Sequence, residues 1–161
     1  MTVHEFNLSV DEYADRLFRF VVKSVKDVHF AEDIVQDSFE RLWKNVARVN
    51  GEKVKSYLFT TAYHTMIDRI RKEKRIMVLE SLPQNIETNT GYYSDARERL
   101  NEAVDRLPEV QRSVLLLRDF EGYSYEEIGE LTGLSESQVK VYIYRARIFL
   151  KNFIGKIDVL I

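Results

Sequence analysis

Apolar residues recur along the chain at the three- and four-residue spacing of amphipathic helices, in two groups. The first group predicts three helices, which begin near Ser9, Phe30 and Val54. The stripes predicted to face the core are Ala14, Leu17, Val21 and Val25 in the first helix, Val35, Phe39, Leu42 and Val46 in the second, and Phe59, Tyr63, Met66 and Ile70 in the third. Ser9 and Glu12 have the spacing of a capping box, which places the start of the first helix there.

The helical pattern lapses between residues 81 and 94, where amide and hydroxyl side chains accompany a proline and a glycine. This segment is predicted to be an interdomain linker. Beyond it, Ala96, Leu100, Val104 and Leu107 predict a helix, and Pro108 fits the first turn of another, which ends near Gly122. We therefore expect an all-α protein of two small helical domains, residues 1–80 and 95–161, joined by a linker at 81–94.

The second domain contains a predicted helix-turn-helix. Ser124 and Glu127 form a capping box before a short helix, small Gly129 lies where the two helices touch, and Gly133 permits the left-handed backbone of the turn. On the second helix, Val139, Ile143, Ala146, Leu150 and Phe153 face inward, while Lys140, Tyr144, Arg147 and Lys151 face outward. Such a helix fits the major groove of DNA, so DNA binding is favoured over a helical hairpin with a merely charged face.

Composition narrows the class of protein. The chain has 161 residues with only two prolines and six glycines, too few turn-forming residues for a many-stranded sandwich or barrel. It has no cysteine, which excludes disulfides and thiolate metal sites. The longest stretch without a charged residue, Ser56 to Ile67, has 12 residues and is too short to span a membrane. No secretory signal is visible either, so we expect a cytoplasmic protein without membrane insertion.

Charge is nearly balanced overall and concentrated locally. The net charge of −2 argues against indiscriminate binding to nucleic acid. However, five basic residues and one acid lie from Arg69 to Arg75, and five basic residues and no acid lie between Glu136 and Asp158. Taken alone, each patch is more often a solvated helix face than a nucleic-acid contact. The outward stripe of the third helix begins with an aromatic residue and ends in arginines, which is unusual for a passive surface: Tyr57, Thr61, His64, Asp68, Arg71 and Arg75.

Three segments, taken together, resemble one protein family. They are AEDIVQDSFERLW at 31–43, KSYLFTTAYHTMIDRIRKEKR at 55–75, and LPEVQRSVLLLRDFEGYSYEEIGELTGLSESQVKVYIYRARIFL at 107–150. In this order they resemble the extracytoplasmic-function (ECF) group of bacterial RNA polymerase sigma factors, and the resemblance covers nearly the whole chain. It implies that residues 1–80 form the sigma region-2 domain and residues 95–161 the region-4 domain, with no room for region 3.

The resemblance assigns residues to three functions. Core-polymerase binding is implied for Asp33, Gln36, Asp37 and Glu40, because in similar proteins this helix docks on a coiled coil of the beta-prime subunit; a row of carboxylates also suits a basic partner. Melting and holding the -10 promoter element is implied for Tyr57, Thr61, His64, Arg71 and Arg75. Reading the -35 element is implied for Lys140, Val141, Tyr144 and Arg145 at the bases, with Ser137 and Arg147 near phosphates.

Some positions depart from the residues usual in the family. His64 stands where relatives commonly have Asn, Tyr57 where they often have Trp, and Val141-Tyr142 where Ser-Arg is frequent. The promoter sequence therefore cannot be borrowed from a relative. The implied partners are promoter DNA and core RNA polymerase, contacted through the beta-prime coiled coil and the beta flap. An anti-sigma factor is a further candidate partner, because similar proteins are often held inactive by one.

Two other functional classes have less support in the sequence. His64 and Asp68 lie one turn apart, as two metal ligands could, but no third ligand is near, and the common catalytic motifs are missing. We therefore expect neither an enzyme nor a bound metal or cofactor. A helix-turn-helix regulator that acts without core polymerase would use the same C-terminal motif but would not need the N-terminal domain. The expected function is that of an alternative sigma factor directing promoter-specific initiation of transcription.

Overall fold

The chain folds into seven α-helices in the computed structural model, which describes the backbone of residues 1–80 and 96–158 and the side chains of residues 1–76 and 97–155. The helices are α1 (Val3–Val25), α2 (Val28–Lys44), α3 (Val54–Glu80), α4 (Ala96–Asp105), α5 (Glu109–Asp119), α6 (Tyr125–Thr132) and α7 (Glu136–Asp158). One 3-10 turn, Gly51–Lys53, precedes α3. The expected all-α class is confirmed. The predicted linker, residues 81–94, lies outside the described residues.

Helix α1 begins earlier than the apolar pattern predicted. Thr2 is its N-cap, and the Thr2 side chain accepts a hydrogen bond from the backbone N–H of Glu5. Ser9 is buried within the helix, where its hydroxyl donates to the carbonyl of Phe6. The predicted capping box at Ser9 and Glu12 is therefore wrong. Its three-residue spacing also occurs inside helices, and a serine there can bond to the preceding turn instead.

Helices α1, α2 and α3 pack around one apolar core, but α2 is rotated relative to the prediction. Its buried face includes Ile34 and Ser38, whereas Val35 and Phe39 are half-buried. Ser38 can be buried because its hydroxyl donates a hydrogen bond of 2.7 Å to the Ile34 carbonyl. Ile34 and Val35 are both apolar and lie about 100° apart around the helix, so periodicity alone does not decide which of them faces the core.

The helix-turn-helix forms as predicted from α6 and α7. Both hydrogen bonds of the capping box between Ser124 and Glu127 are present, and Gly133 ends α6 with φ of 82°. A Cβ on Gly129 would lie 2.9 Å from the carbonyl oxygen of Leu134, so a glycine is required at this contact. Of the five α7 residues predicted to face inward, Val139, Ile143 and Ala146 are buried, and Leu150 and Phe153 are half-buried.

Helices α4 and α5 complete the second group. The buried residues of α4 and the turn after it are Ala103 and Leu107, while Leu100 is exposed. Pro108 caps α5 rather than lying in its first turn. The predicted α4 stripe was therefore shifted, because a ten-residue helix offers few repeats from which to read a periodicity.

The two helical groups pack directly against each other. Their buried residues form one contiguous apolar core, with α1 against α5 and α3 against α6. Arg112 of α5 is 7% exposed, and its guanidinium donates to the carbonyls of Val104, Asp105, Leu107 and, in the first group, Ser24. Burial lowers the pKa of Arg112. A buried cation needs such acceptors, so Arg112 ties α1 to the second group.

Candidate nucleic-acid and protein interfaces

The outward face of α2 carries the four residues predicted to bind a protein partner. They lie at i, i+3, i+4 and i+7, so the helix places them on one side: Asp33, Gln36, Asp37 and Glu40. Three are exposed, and the half-exposed Asp37 forms an ion pair with Arg41, with 3.2 Å between Oδ2 and Nε. The structure therefore brings all four together on an accessible acidic surface.

An apolar cavity of about 350 Å³ lies beside this acidic surface. Phe6, Phe39 and Trp43 line it together with Gln36 and Glu40. The rings of Phe6 and Trp43 meet edge to face with centroids 5.0 Å apart, and Trp43 is 47% exposed. Exposed aromatic anchors of this kind dominate many protein interfaces. The apolar periodicity missed this site because it assigned Phe39 to the core.

A larger concave site, with a volume of about 730 Å³, lies between the end of α2 and the start of α3. Two of the residues predicted for DNA binding, Tyr57 and Thr61, are in its wall. The Tyr57 hydroxyl donates to the Arg41 carbonyl and accepts from Nδ2 of Asn45, both at 3.3 Å. The full lining is Asn45, Arg48, Val49, Asn50, Lys53, Ser56, Tyr57, Thr60 and Thr61.

This pocket, which we call the α2–α3 pocket, combines three kinds of contact. The amides of Asn45 and Asn50 can hydrogen bond to the edge of a base, and the ring of Tyr57 offers a stacking surface. Arg48 and Lys53 can neutralise a phosphate. A nucleotide outside the base stack uses all three. Sequence reasoning missed these amides and cations because they fall in a short irregular segment that has no periodicity.

The other predicted residues of α3 do not join the pocket. His64 is two turns further on, with its Nε2 2.9 Å from the carbonyl oxygen of Leu131 in α6. Because a carbonyl only accepts, Nε2 carries a proton and donates. Arg71 and Arg75 are exposed, and Arg75 lies about 27 Å from Tyr57 along the helix at 1.5 Å per residue. The predicted stripe is thus divided between the pocket, a contact with α6 and an exposed basic end.

The outward face of α7 presents all six residues predicted for the second DNA contact. They are exposed over an arc of about 160° at 100° per residue: Ser137, Lys140, Val141, Tyr144, Arg145 and Arg147. Upstream, Ser135 and Gln138 cap the helix reciprocally, each accepting the other's backbone N–H. The backbone N–H groups of Ser135 and Gln138 are therefore satisfied within the protein.

Two of the α7 cations are engaged within the protein. Lys140 pairs with Glu136 at 3.3 Å, and Arg147 pairs with Asp119 at 2.9 Å. The hydrogen bond that Arg147 donates to the Asp119 carboxylate raises the pKa of Arg147. All four side chains are about half exposed, and such ion pairs contribute little net free energy. Lys140 and Arg147 can therefore leave these ion pairs and bind phosphates at a small cost in free energy.

Within residues 1–76 and 97–155, whose side chains the structure describes, no three His, Cys, Asp or Glu side chains are grouped so that they could hold a metal ion. None of the helices described there combines the length and hydropathy needed to cross a membrane.

Comparison with known proteins agrees with this two-part organisation. Residues 10–76 match the family model for Sigma-70 region 2, and residues 97–150 match that for Sigma-70, region 4. The chain is similar to the ECF RNA polymerase sigma factor SigM of Bacillus subtilis (strain 168), with 30% identity over 89% of this chain and 94% of the relative. It is also similar to the RNA polymerase sigma factor SigV of the same organism, with 32% identity over 92% of this chain and 90% of the relative.

A solved structure has the same fold. It is the sigma factor RpoE from Bartonella quintana, in complex with the anti-sigma factor NepR. The two folds superpose with a TM-score of 0.78 over 95% of this chain and 98% of that one, at 23% sequence identity.

Proposed function

Because the chain belongs to the ECF family of RNA polymerase sigma factors, we propose that it binds core RNA polymerase and directs it to promoters, without itself being an enzyme. The observation that carries this proposal is the presence of three distinct surfaces on one chain: the acidic face of α2, the α2–α3 pocket and the outward face of α7. Each has chemistry suited to one step of initiation. The proposed place of action is the cytoplasm, where polymerase and promoter meet.

The acidic face of α2 is the proposed core-binding surface. Its carboxylates, including Asp33 and Asp37, suit a basic surface on the polymerase and would speed the encounter. The neighbouring Trp43 is 47% exposed, so its ring can be buried further as an aromatic anchor against a partner. Charge and apolar contact together favour a protein partner for this face rather than solvent alone.

The α2–α3 pocket is the proposed site for a base of the -10 element after melting. Taking a base out of the stack costs a few kcal/mol, and stacking on an aromatic ring returns about 1–3 kcal/mol. Tyr57 supplies that ring, and Thr61 lies beside it. Arg71 and Arg75, further along α3, are proposed to contact the backbone of the displaced strand.

The outward face of α7 is the proposed reader of the -35 element. Lys140, Val141, Tyr144 and Arg145 are proposed to meet base edges in the major groove. The flanking residues Ser137 and Arg147 are proposed to contact phosphates. This assignment is supported by the exposure of all six side chains on one arc of the helix.

An anti-sigma factor is a second proposed partner. Besides the residues assigned to DNA, α7 exposes Ile148 and Phe149, which are 41% and 37% exposed. Neither side chain can hydrogen bond to a base edge or a phosphate, so an apolar segment of a protein regulator fits them better. Ile148→Ser is expected to raise activity of a dependent promoter in cells and to leave transcription with purified core polymerase unchanged. Unchanged promoter activity in cells would count against this partner.

Core binding tests the main proposal. Asp37→Arg is expected to lower the affinity for core polymerase by about tenfold or more, because it reverses a charge within the docking face. The matched control is Asp11→Arg, the same reversal at an exposed position of α1. Circular dichroism checks that both variants keep their helix content. Equal affinity of Asp37→Arg and wild type in a titration with core polymerase would remove this face from the proposal.

Duplex binding separates a sigma factor from a helix-turn-helix regulator that works without polymerase. The free protein has a net charge of −2, and each of its two basic segments has only five cations that could neutralise DNA phosphates. We expect weak, unspecific binding to promoter duplex at physiological salt, and tight, specific binding once core polymerase is added. Nanomolar sequence-specific binding by the isolated chain in a gel shift would favour the regulator.

A further inference from the structure

The loop between α5 and α6, residues 120–123, contacts α1 and α3 of the first domain. Lys23 Nζ lies 4.2 Å from the ring centroid of Phe120. Tyr123 is buried, and Lys55 Nζ lies 4.6 Å from the centroid of its ring. The Tyr123 ring also meets that of Phe59 edge to face, with centroids 6.2 Å apart. One short loop therefore seats the second domain on the first.

Glu121 is the charged centre of this contact. Its Oε2 lies 2.7 Å from Nη2 of Arg16 and 3.4 Å from Nζ of Lys55. Lys55 Nζ also donates to the Glu121 backbone carbonyl at 2.8 Å. The Glu121 side chain is only 7% exposed. A carboxylate so far removed from water is stable only beside cations, so its burial depends on the first domain being in place.

A second ion pair between the domains has the same polarity. Lys74 Nζ of α3 lies 3.0 Å from Oε2 of Glu109 in α5. Here too the first domain supplies the cation and the second the acid. Residues 1–80 contain 14 basic and 13 acidic residues, net +1, while residues 81–161 contain 10 and 13, net −3. The difference in charge between the halves of the sequence therefore favours their contact.

The closed arrangement engages the proposed promoter surface of α3. His64 donates to the Leu131 carbonyl across the domain contact, and α6 packs on α3. While α6 is seated, that donor of His64 is taken by protein. Promoter contact at His64 and closure of the domains therefore compete for the same group.

Promoter geometry requires the domains to separate. The -35 and -10 elements are centred about 25 base pairs apart, which is about 85 Å at 3.4 Å per base pair. A compact chain of this length has a radius of gyration of about 15 Å, so two domains in contact do not reach both elements. The 16 steps of chain from Glu80 to Ala96 span at most about 55 Å, which is enough for the domains to move apart.

We propose that the 120–123 loop is an autoinhibitory latch, in which Glu121 held between Arg16 and Lys55 keeps the domains closed until core polymerase binds. The inference rests on the proposed function, because only a promoter-bound sigma factor needs the open form. The apparent affinity for core polymerase equals the intrinsic affinity multiplied by the open fraction, since only the open form is competent. Weakening the latch therefore strengthens core binding without adding any contact.

Because the sequence has no cysteine, Asn7→Cys with Asn101→Cys gives one label pair at exposed, uncharged positions in α1 and α4. Spin-label distances in the free protein are expected to show mainly one short separation, which core polymerase lengthens. Glu121→Gln is expected to raise the long-distance fraction of the free protein about tenfold. The matched control is Asp15→Asn, which removes the same charge from the exposed Asp15–Arg19 pair and is expected to change nothing.

A second readout is the concentration of core polymerase that gives half-maximal binding, which should fall for Glu121→Gln. Arg16→Gln removes the opposite charge of the same pair from the other domain and should open the domains equally, so the test does not depend on one variant folding. A long distance in the free wild-type protein, or wild-type distances in both variants, overturns the latch. Failure of wild type and variants alike to bind core polymerase contradicts the proposed function instead, because distances in the free protein involve no polymerase.

Discussion

The two surfaces proposed to bind DNA have opposite shapes, although each presents a tyrosine. The α2–α3 pocket is concave, and Tyr57 is half-buried in its wall. The outward face of α7 is convex, and Tyr144 is 66% exposed on it. A pocket can enclose a base that has left the stack, whereas an exposed helix reads base edges in an intact groove. The surroundings of each tyrosine, more than its chemistry, therefore determine its proposed role.

The two surfaces also differ in the contacts that fix their positions. Tyr57 is positioned by hydrogen bonds to Arg41 and Asn45 at the end of α2. The face of α7 is positioned by the turn before it, where Gly129 and Gly133 allow the two helices to pack. We therefore expect substitution of the turn glycines to disturb the face of α7. Substitution of side chains around Tyr57 should disturb the α2–α3 pocket.

The largest effect is expected from Gly129→Ala. The added methyl group would lie 2.9 Å from the backbone oxygen of Leu134, which cannot move without shifting α7, so we expect a loss of about 1–3 kcal/mol in the free energy of unfolding. Gly155→Ala is the control, because a Cβ there meets nothing within 4 Å. It should be neutral or stabilising by up to about 1 kcal/mol. Urea unfolding followed by circular dichroism measures both, and equal stabilities would contradict the tight contact.

Tyr57→Ala should weaken binding of a single-stranded -10 oligonucleotide by the holoenzyme by about 1–3 kcal/mol, the contribution of one stacked base. Tyr57→Phe keeps the ring and loses the two hydroxyl hydrogen bonds, so a smaller loss is expected. Fluorescence anisotropy with labelled oligonucleotide measures the affinities. If Tyr144→Ala caused the same loss on the single strand, the division between pocket and helix would be wrong.

Arg145→Ala and Lys151→Ala should distinguish base recognition from phosphate binding on α7. Loss of Arg145 should cost about 1–2 kcal/mol and flatten the base preference at one position of the upstream element. Loss of Lys151 should weaken all sequences alike and lower the salt dependence of binding by about one phosphate. Holoenzyme binding to a library of upstream elements provides the comparison. Identical base preferences in Arg145→Ala and wild type would exclude Arg145 as a reader.

The smallest effect is expected at the capping box of α6. Hydrogen bonds from Ser124 lower the pKa of Glu127, so its stabilising effect is present above the ordinary glutamate pKa and is lost as the pH falls through its lowered value. Glu127→Ala should cost roughly 0.5–1 kcal/mol, and Glu127→Gln less, because an amide oxygen can also accept. Thermal unfolding from pH 7 to pH 3 tests this. A constant difference between wild type and Glu127→Gln over that range would contradict the pKa shift.

Features formed by residues close together in the chain were predictable. The capping box at Ser124 and Glu127 and the left-handed turn at Gly133 follow from spacing of a few residues. The buried stripe of α7 and the common side of Asp33 and Asp37 follow from helical periodicity. These features depend on the geometry of a single helix or turn, which the local sequence specifies.

The predictions that were wrong concern choices between equivalent local patterns. Thr2 rather than Ser9 begins α1, and Ile34 rather than Val35 faces the core in α2. In each case both alternatives satisfy the same spacing rule. Which one is used depends on what the rest of the chain packs against that helix.

Contacts between distant residues were decided by the tertiary structure alone. The α2–α3 pocket takes Arg48, Asn50 and Lys53 from an irregular segment whose shape depends on the helices at both ends. Glu121 lies 105 residues from Arg16 and 66 from Lys55, yet all three meet in one cluster. No periodicity links positions so far apart. Their proximity, and with it the closed arrangement of the domains, arises only when the apolar faces of α1, α3, α5 and α6 are buried together.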